Sequence, residues 1–180
     1  MIILGIDPGS LKAGYAVIES ESRKYRYLAS GIMRYGHLEC FIDRLGYIFN
    51  SCKHLMEEYK PDEIAIESLV YVKGTTSILK LAQARGAMLA AFNLSKQGSI
   101  YEYSPNEVKC FVSGHGHAGK EAIQKALDMV FKGIIYKTDD ESDALAVAFA
   151  HTLSSRKLQV KTTSKKKNRG TRLRDLRNWE

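Results

Sequence analysis

Hydrophobic residues recur with two different periods along this chain, and the changes of period mark its elements. Ile2–Asp7 is a short apolar run, after which Gly9 and Gly14 punctuate the pattern. Ala13–Glu19 and Tyr25–Tyr35 roughly alternate in polarity, as half-buried antiparallel strands do. The period then lengthens. Leu38, Phe41, Ile42, Leu45, Ile48, Phe49, Cys52, Leu55, Met56 and Tyr59 recur at steps of three and four, predicting a helix that Pro61 stops. Asp62–Glu67 reads as a fourth strand. Residues 75–96 predict a helix that is apolar nearly all round (Ile78, Leu79, Leu81, Met88, Leu89, Phe92), with Ala82, Gly86 and Ala90 forming a small-residue ridge. Such a helix is buried in the monomer or shared with a partner subunit. Ser99–Tyr103 reads as a fifth strand, Pro105 opens a short helix, and a Gly/His loop (Ser113–Gly119) leads into another. The last helix runs from about Asp139 to Ser155. This order predicts an α/β fold, a five-stranded mixed sheet flanked by helices.

Charge adds a division that hydropathy does not show. The chain carries 27 Lys/Arg and 20 Asp/Glu over 180 residues, a net of +7. Residues 155–180 hold ten of the basic side chains against Asp175 and Glu180, so residues 1–154 keep 17 basic and 18 acidic groups. The expected organisation is one globular domain over residues 1–156 and a basic, disordered tail over 157–180 that attracts polyanions, nucleic acid first. Cys40, Cys52 and Cys110 have no metal-ligand spacing and read as free thiols, with Cys40 and Cys52 buried in the first helix. The N-terminal apolar run ends within six residues, and no stretch approaches the ~18 apolar residues of a membrane span. A cytoplasmic protein is expected.

Within this frame four carboxylates stand where acids are costly. Asp7 and Glu67 each end an apolar strand, and Asp140 and Asp143 share one face at the start of the last helix. Acids beside a core need compensation, and hard divalent cations supply it in a metal-dependent nuclease. Other readings compete at each position. Gly5-Ile-Asp-Pro-Gly-Ser10 also fits a nucleotide-phosphate cradle of the actin-like ATPase type, or a plain strand end with a Pro-Gly turn. An actin-like ATPase needs two such lobes, and this length supplies one. Asp140 and Asp143 fit equally well as first-turn acids facing the helix dipole. Around them, Thr138 and Glu141 can form a capping box and Asp139 can serve the dipole. Against decoration, Asp143 heads the apolar run Ala144-Leu-Ala-Val147. Gly114–Lys120 matches most of a phosphate-binding P-loop, but Glu121 replaces the magnesium-binding hydroxyl and a helix precedes the loop. Lys120 at a helix start is better suited to a DNA phosphate, and His115 and His117 read as polar loop residues.

Together these segments resemble the RuvC family of Holliday-junction resolvases, over about residues 1–155. Ile3-Leu-Gly-Ile-Asp-Pro-Gly-Ser10 with Gly14-Tyr15 is similar to the family's N-terminal signature. Ala65-Ile-Glu67 with Lys80-Leu-Ala-Gln-Ala-Arg-Gly86 resembles its second block, and Asp140-Glu-Ser-Asp143-Ala-Leu-Ala its third. The resemblance implies a ribonuclease H-like fold, a homodimer with residues 75–96 at its interface, and symmetric nicking of four-way junction DNA. It implies Asp7, Glu67, Asp140 and Asp143 as catalytic ligands of two Mg2+, with Mn2+ as a possible substitute. It also implies DNA contacts by Lys109, Lys120 and Arg85, and a branch-migration ATPase complex as partner. Family members often place an aromatic wedge three residues after the second acid. Here Val70 stands there with Tyr71 next, so either Tyr71 takes the role or the wedge is weaker.

Overall fold

The computed structural model describes residues 1–22, 24–69, 75–95, 100–134 and 136–154. Val70 and Tyr71 of the expected wedge and the basic tail lie outside them. Five strands, β1 (Ile2–Asp7), β2 (Lys12–Glu21), β3 (Lys24–Arg34), β4 (Glu63–Glu67) and β5 (Ile100–Tyr103), form one sheet in the order β3-β2-β1-β4-β5. The first three pair antiparallel, and β4 and β5 add on in parallel to β1. This is the ribonuclease H-like arrangement. Helices α1 (Phe41–Tyr59) and α2 (Thr75–Ser95) cover one face; α3 (Pro105–Ser113), α4 (Lys120–Val130) and α5 (Asp139–Leu153) cover the other.

Strand alternation divides the core between these faces. Leu4, Ile6, Ala13, Val17, Ile64 and Ile66 pack with α1 and α2, while Ile3, Ala16, Ile18 and Ala65 pack with α5. Asp7 and Glu67 each follow an α1/α2-facing isoleucine, so both carboxylates turn towards α5. Ile6 is the register partner of Ile66, which brings the two acids to adjacent strand ends.

Several boundaries have local causes. Lys60 closes α1 in the left-handed region at φ 46°, and Pro61 follows. Ser104 caps α3 in a reciprocal capping box with Glu107, with Pro105 in the first turn. The first helix begins at Phe41 rather than Leu38. Leu38 packs against the α1/α2 core from a turn, because apolar spacing reports burial and not helix limits.

Two expectations are corrected. Thr138 makes no capping bond to α5, and no capping box forms. Glu141 is instead buried and accepts a hydrogen bond from Ser30 Oγ of β3 at 2.7 Å. Of the thiols, Cys52 alone is buried, its pKa pushed up to about 12 by burial, while Cys40 and Cys110 are exposed. Among the described residues, no helix is long and apolar enough to cross a membrane.

Candidate active site

Glycine sets the distance between α5 and the sheet. A Cβ on Gly14 would lie 2.0 Å from the carbonyl oxygen of Asp140, and one on Gly5 would lie 2.3 Å from that of Ala144. The backbone of α5 therefore rests directly on β1 and β2, with Ala144 and Ala148 keeping the contact thin. Gly14 is the register partner of Asp7. The same contact thus fixes the first turn of α5, and its acids, beside the end of the central strand.

The turn after Asp7 is held from below. Buried Tyr35 donates its hydroxyl to the carbonyl of Gly9 at 2.5 Å, and its amide binds the carbonyl of Leu11. On the far side, Arg85 of α2 donates to the carbonyl of Glu67 and pairs with Glu102 of β5. Its side chain is only 12% exposed. Arg85 is thus a strut between β4 and β5.

Asp7, Glu67 and Asp143 line a cleft of about 390 Å³, whose other walls include Lys109 of α3 and Lys120 at the first residue of α4. The two lysines named from the sequence therefore stand at the acids. Asp140 is turned aside and forms an ion pair with Lys12 of β2. Lys120 pairs with Asp139 at 2.9 Å and lies 3.8 Å from Asp143. His115 and His117 are exposed in the loop before α4.

The electrostatics show what this arrangement lacks. Burial, then repulsion from Glu67, Asp143 and Asp140, pushes the Asp7 pKa up to about 7 against the pull of Lys12. Burial and Asp143 push Glu67 up to about 7, offset in part by Lys109. Asp143 is raised too, chiefly by burial, with Lys120 opposing. Among the described residues no three of these side chains are close enough as placed to share one ion. Ammonium groups pair with Asp140 and approach Asp143 instead, while among the described residues Asp7 and Glu67 take part in no ion pair. The donor set is all hard oxygen, with excess negative charge at the centre. It fits divalent cations that take carboxylates together with substrate phosphates.

The family's sequence model, described as "Crossover junction endodeoxyribonuclease RuvC", matches residues 3–151. The chain belongs to the RuvC family. A RuvC of Brachyspira hyodysenteriae is 38% identical over 156 residues, covering 87% of this chain and 96% of the relative. One from Pseudoalteromonas atlantica is 41% identical over 168 residues, covering 90% and 95%. Among solved structures, Thermus thermophilus RuvC in complex with a Holliday junction substrate superimposes with a TM-score of 0.78 at 28% identity, covering 85% of this chain and 93% of that one. Membership makes the protein an endodeoxyribonuclease of a metal-dependent family.

Sequence reasoning missed Lys12, Tyr35 and the internal role of Arg85. A lysine five residues after Asp7 carries no motif. Its relation to Asp140 depends on the β1–β2 register and on how α5 docks, neither of which is a local property.

Proposed function

We propose that this protein resolves four-way DNA junctions by paired symmetric nicks, acting as a homodimer. The observation that carries the proposal is the convergence of Asp7, Glu67, Asp140 and Asp143, from two strand ends and one helix start, beside a cleft walled by Lys109 and Lys120. Likeness to a RuvC bound to a Holliday junction supports the choice of substrate. Two Mg2+, replaceable by Mn2+, would supply the chemistry of a two-metal site, an activated water and a stabilised leaving oxygen. Asp7 would hold them from the central strand, and Glu67, Asp140 and Asp143 would complete their shells. Lys109 and Lys120 would hold the phosphate and offset charge as it builds during in-line displacement. To bind phosphate, Lys120 must exchange Asp139 for it, which its exposed position permits.

Twofold symmetry suits a near-symmetric junction, because it sets two sites on strands of like polarity. The exposed ridge of α2 supports a dimer. Leu79 and Leu94 are 56% and 74% exposed beside Gly86 and Ala90, although Ala84, Met88, Ala91 and Phe92 of the same helix are buried. A branch-migration ATPase partner and a cytoplasmic location rest on family membership alone.

The test offers purified protein with Mg2+ a mobile four-way junction, linear duplex and an RNA–DNA hybrid, then sizes the products. Paired nicks confined to the junction are expected. Equal cutting of duplex, or preference for the hybrid, overturns the proposal.

A further inference from the structure

Cations also stand on the opposite side of the acids from Lys109 and Lys120. Lys12 and Arg34 are register partners across β2 and β3. The neighbouring pair, Ala13 and Met33, is buried in the α1/α2 core. Alternation therefore turns Lys12 and Arg34 to the other face, the one on which α5 lies. The Lys12–Asp140 ion pair independently shows that direction. Both residues are exposed. Like charges opposite each other on one sheet face are destabilising, and an anionic ligand would offset that repulsion. Lys12 is occupied by Asp140, while the Arg34 guanidinium has no hydrogen-bond or ion-pair partner among the described residues.

Position along the sheet gives the pair a meaning. The strand order β3-β2-β1-β4 sets Arg34 and Lys12 to one side of Asp7 and Glu67 at the end of the sheet, two residues further along their strands than Gly14, the register partner of Asp7, with Lys109 beyond Glu67. At ~4.8 Å per strand and ~3.4 Å per residue along it, Arg34 lies on the order of 12 Å from Asp7. One DNA strand laid over the acids thus meets cations on both sides of them, with Arg34 within a few nucleotides on the β3 side.

We propose that Arg34, joined by Lys12 once Asp140 is engaged elsewhere, forms a phosphate-holding site on the β3 side of the acids. It takes the backbone of the cleaved strand a few nucleotides from the scissile phosphate. This rests on the junction-cutting function proposed above, and adds a direction: the strand runs across the sheet from β3 towards α3, not along a single strand.

The experiment uses the full-length protein. Junction binding is titrated in EDTA at several salt concentrations, and cleavage is followed with Mg2+. Arg34→Gln should flatten the log–log salt slope by roughly 0.9 and weaken binding about fivefold, leaving kcat within about twofold. Arg34→Lys should restore the slope, since a point charge suffices for a phosphate. Neutral methylphosphonate linkages are then placed one at a time beside the cleavage site. At one position the wild type should lose affinity while Arg34→Gln is indifferent. An unchanged slope in Arg34→Gln, or the same response as the wild type at every linkage, overturns the assignment. Failure of the wild type itself to bind or cut junctions would instead overturn the function on which it rests.

Discussion

Asp7 is the residue in which fold and chemistry conflict most directly. Its carboxylate is buried by the strand that carries it and crowded by three further acids, so the folded protein without metal holds its proton more tightly than the unfolded chain does. The same sign applies to Glu67. A folded pKa of about 7, above the ordinary 3.8, means that stability is fully present below pH 3.8 and is lost as pH rises through about 7. Asp7→Asn removes that dependence. In EDTA at pH 8 the variant should melt at least about 4 °C above the wild type, with the gap narrowing by pH 5, given roughly 2–4 °C per kcal/mol for a chain of this size. Cleavage should fall by at least about a thousandfold, with junction binding retained, since charge at the reacting centre is worth several kcal/mol. A variant that nicks normally would dismiss Asp7 as a ligand. The neighbouring acids separate by burial. Asp139→Asn changes an exposed group paired with Lys120 and should leave turnover nearly unaltered. Glu141→Gln, which alters a buried acceptor of Ser30, should lower the melting temperature without removing activity. Loss of cleavage in Asp139→Asn with none in Asp143→Asn would shift the catalytic register of α5.

Among the elements, α5 carries the contacts that position the acids and α2 the face proposed for the dimer. Gly14 has no room for a Cβ against Asp140, and the obstructing atom is backbone, so the helix must move if one is added. Gly14→Ala should cost about 1–3 kcal/mol of stability. It should also slow cleavage on the order of a hundredfold, because a displacement of about 1 Å at a reacting site has that effect. Denaturant unfolding and single-turnover kinetics measure the two together. Wild-type rates would mean that the close contact does not set the site. Gly86 presents the opposite case, since a Cβ there meets nothing within 4 Å. A change at Gly86 is therefore a clean probe of association. Gly86→Glu should keep the monomer fold and its melting temperature, yet sediment as a monomer at concentrations where the wild type is a dimer, because an unpaired charge would need desolvation at the contact. A variant that remains dimeric would place the interface elsewhere.

For the whole molecule, charge is divided between a near-neutral body and a basic terminus. Deleting residues 157–180 should weaken binding to junction, duplex and single strand alike and flatten its salt dependence, each lost phosphate contact on duplex removing roughly 0.9 from the slope. Selectivity for junctions should survive, because shape recognition is assigned to the folded domain and its proposed dimer. Loss of selectivity on truncation would mean that the tail reads structure.

Much of this protein is determined by local chemistry and was legible in the residues themselves. Ile2–Asp7 and the residues before Glu67 define strands as short apolar runs, Pro61 and Pro105 punctuate helices, and α2 displays its uncovered face through excess apolar residues. Asp7 and Glu67 could be picked out because a carboxylate closing an apolar run is costly wherever the chain goes, and Asp143 because it heads one. Tertiary structure decided what those groups do to one another. The register of β1 with β2 and β4 brings Asp7 beside Glu67 and opposite Gly14, and the glycines at 5 and 14 let α5 approach closely enough to add Asp140 and Asp143. The same packing assigns Lys12 to Asp140, draws Glu141 inward to Ser30 instead of into a helix cap, and commits Arg85 to Glu102. None of these partners is within a helical turn of the other in sequence. A side chain's burial follows from its own pattern, whereas its partner depends on which distant backbone comes to rest against it.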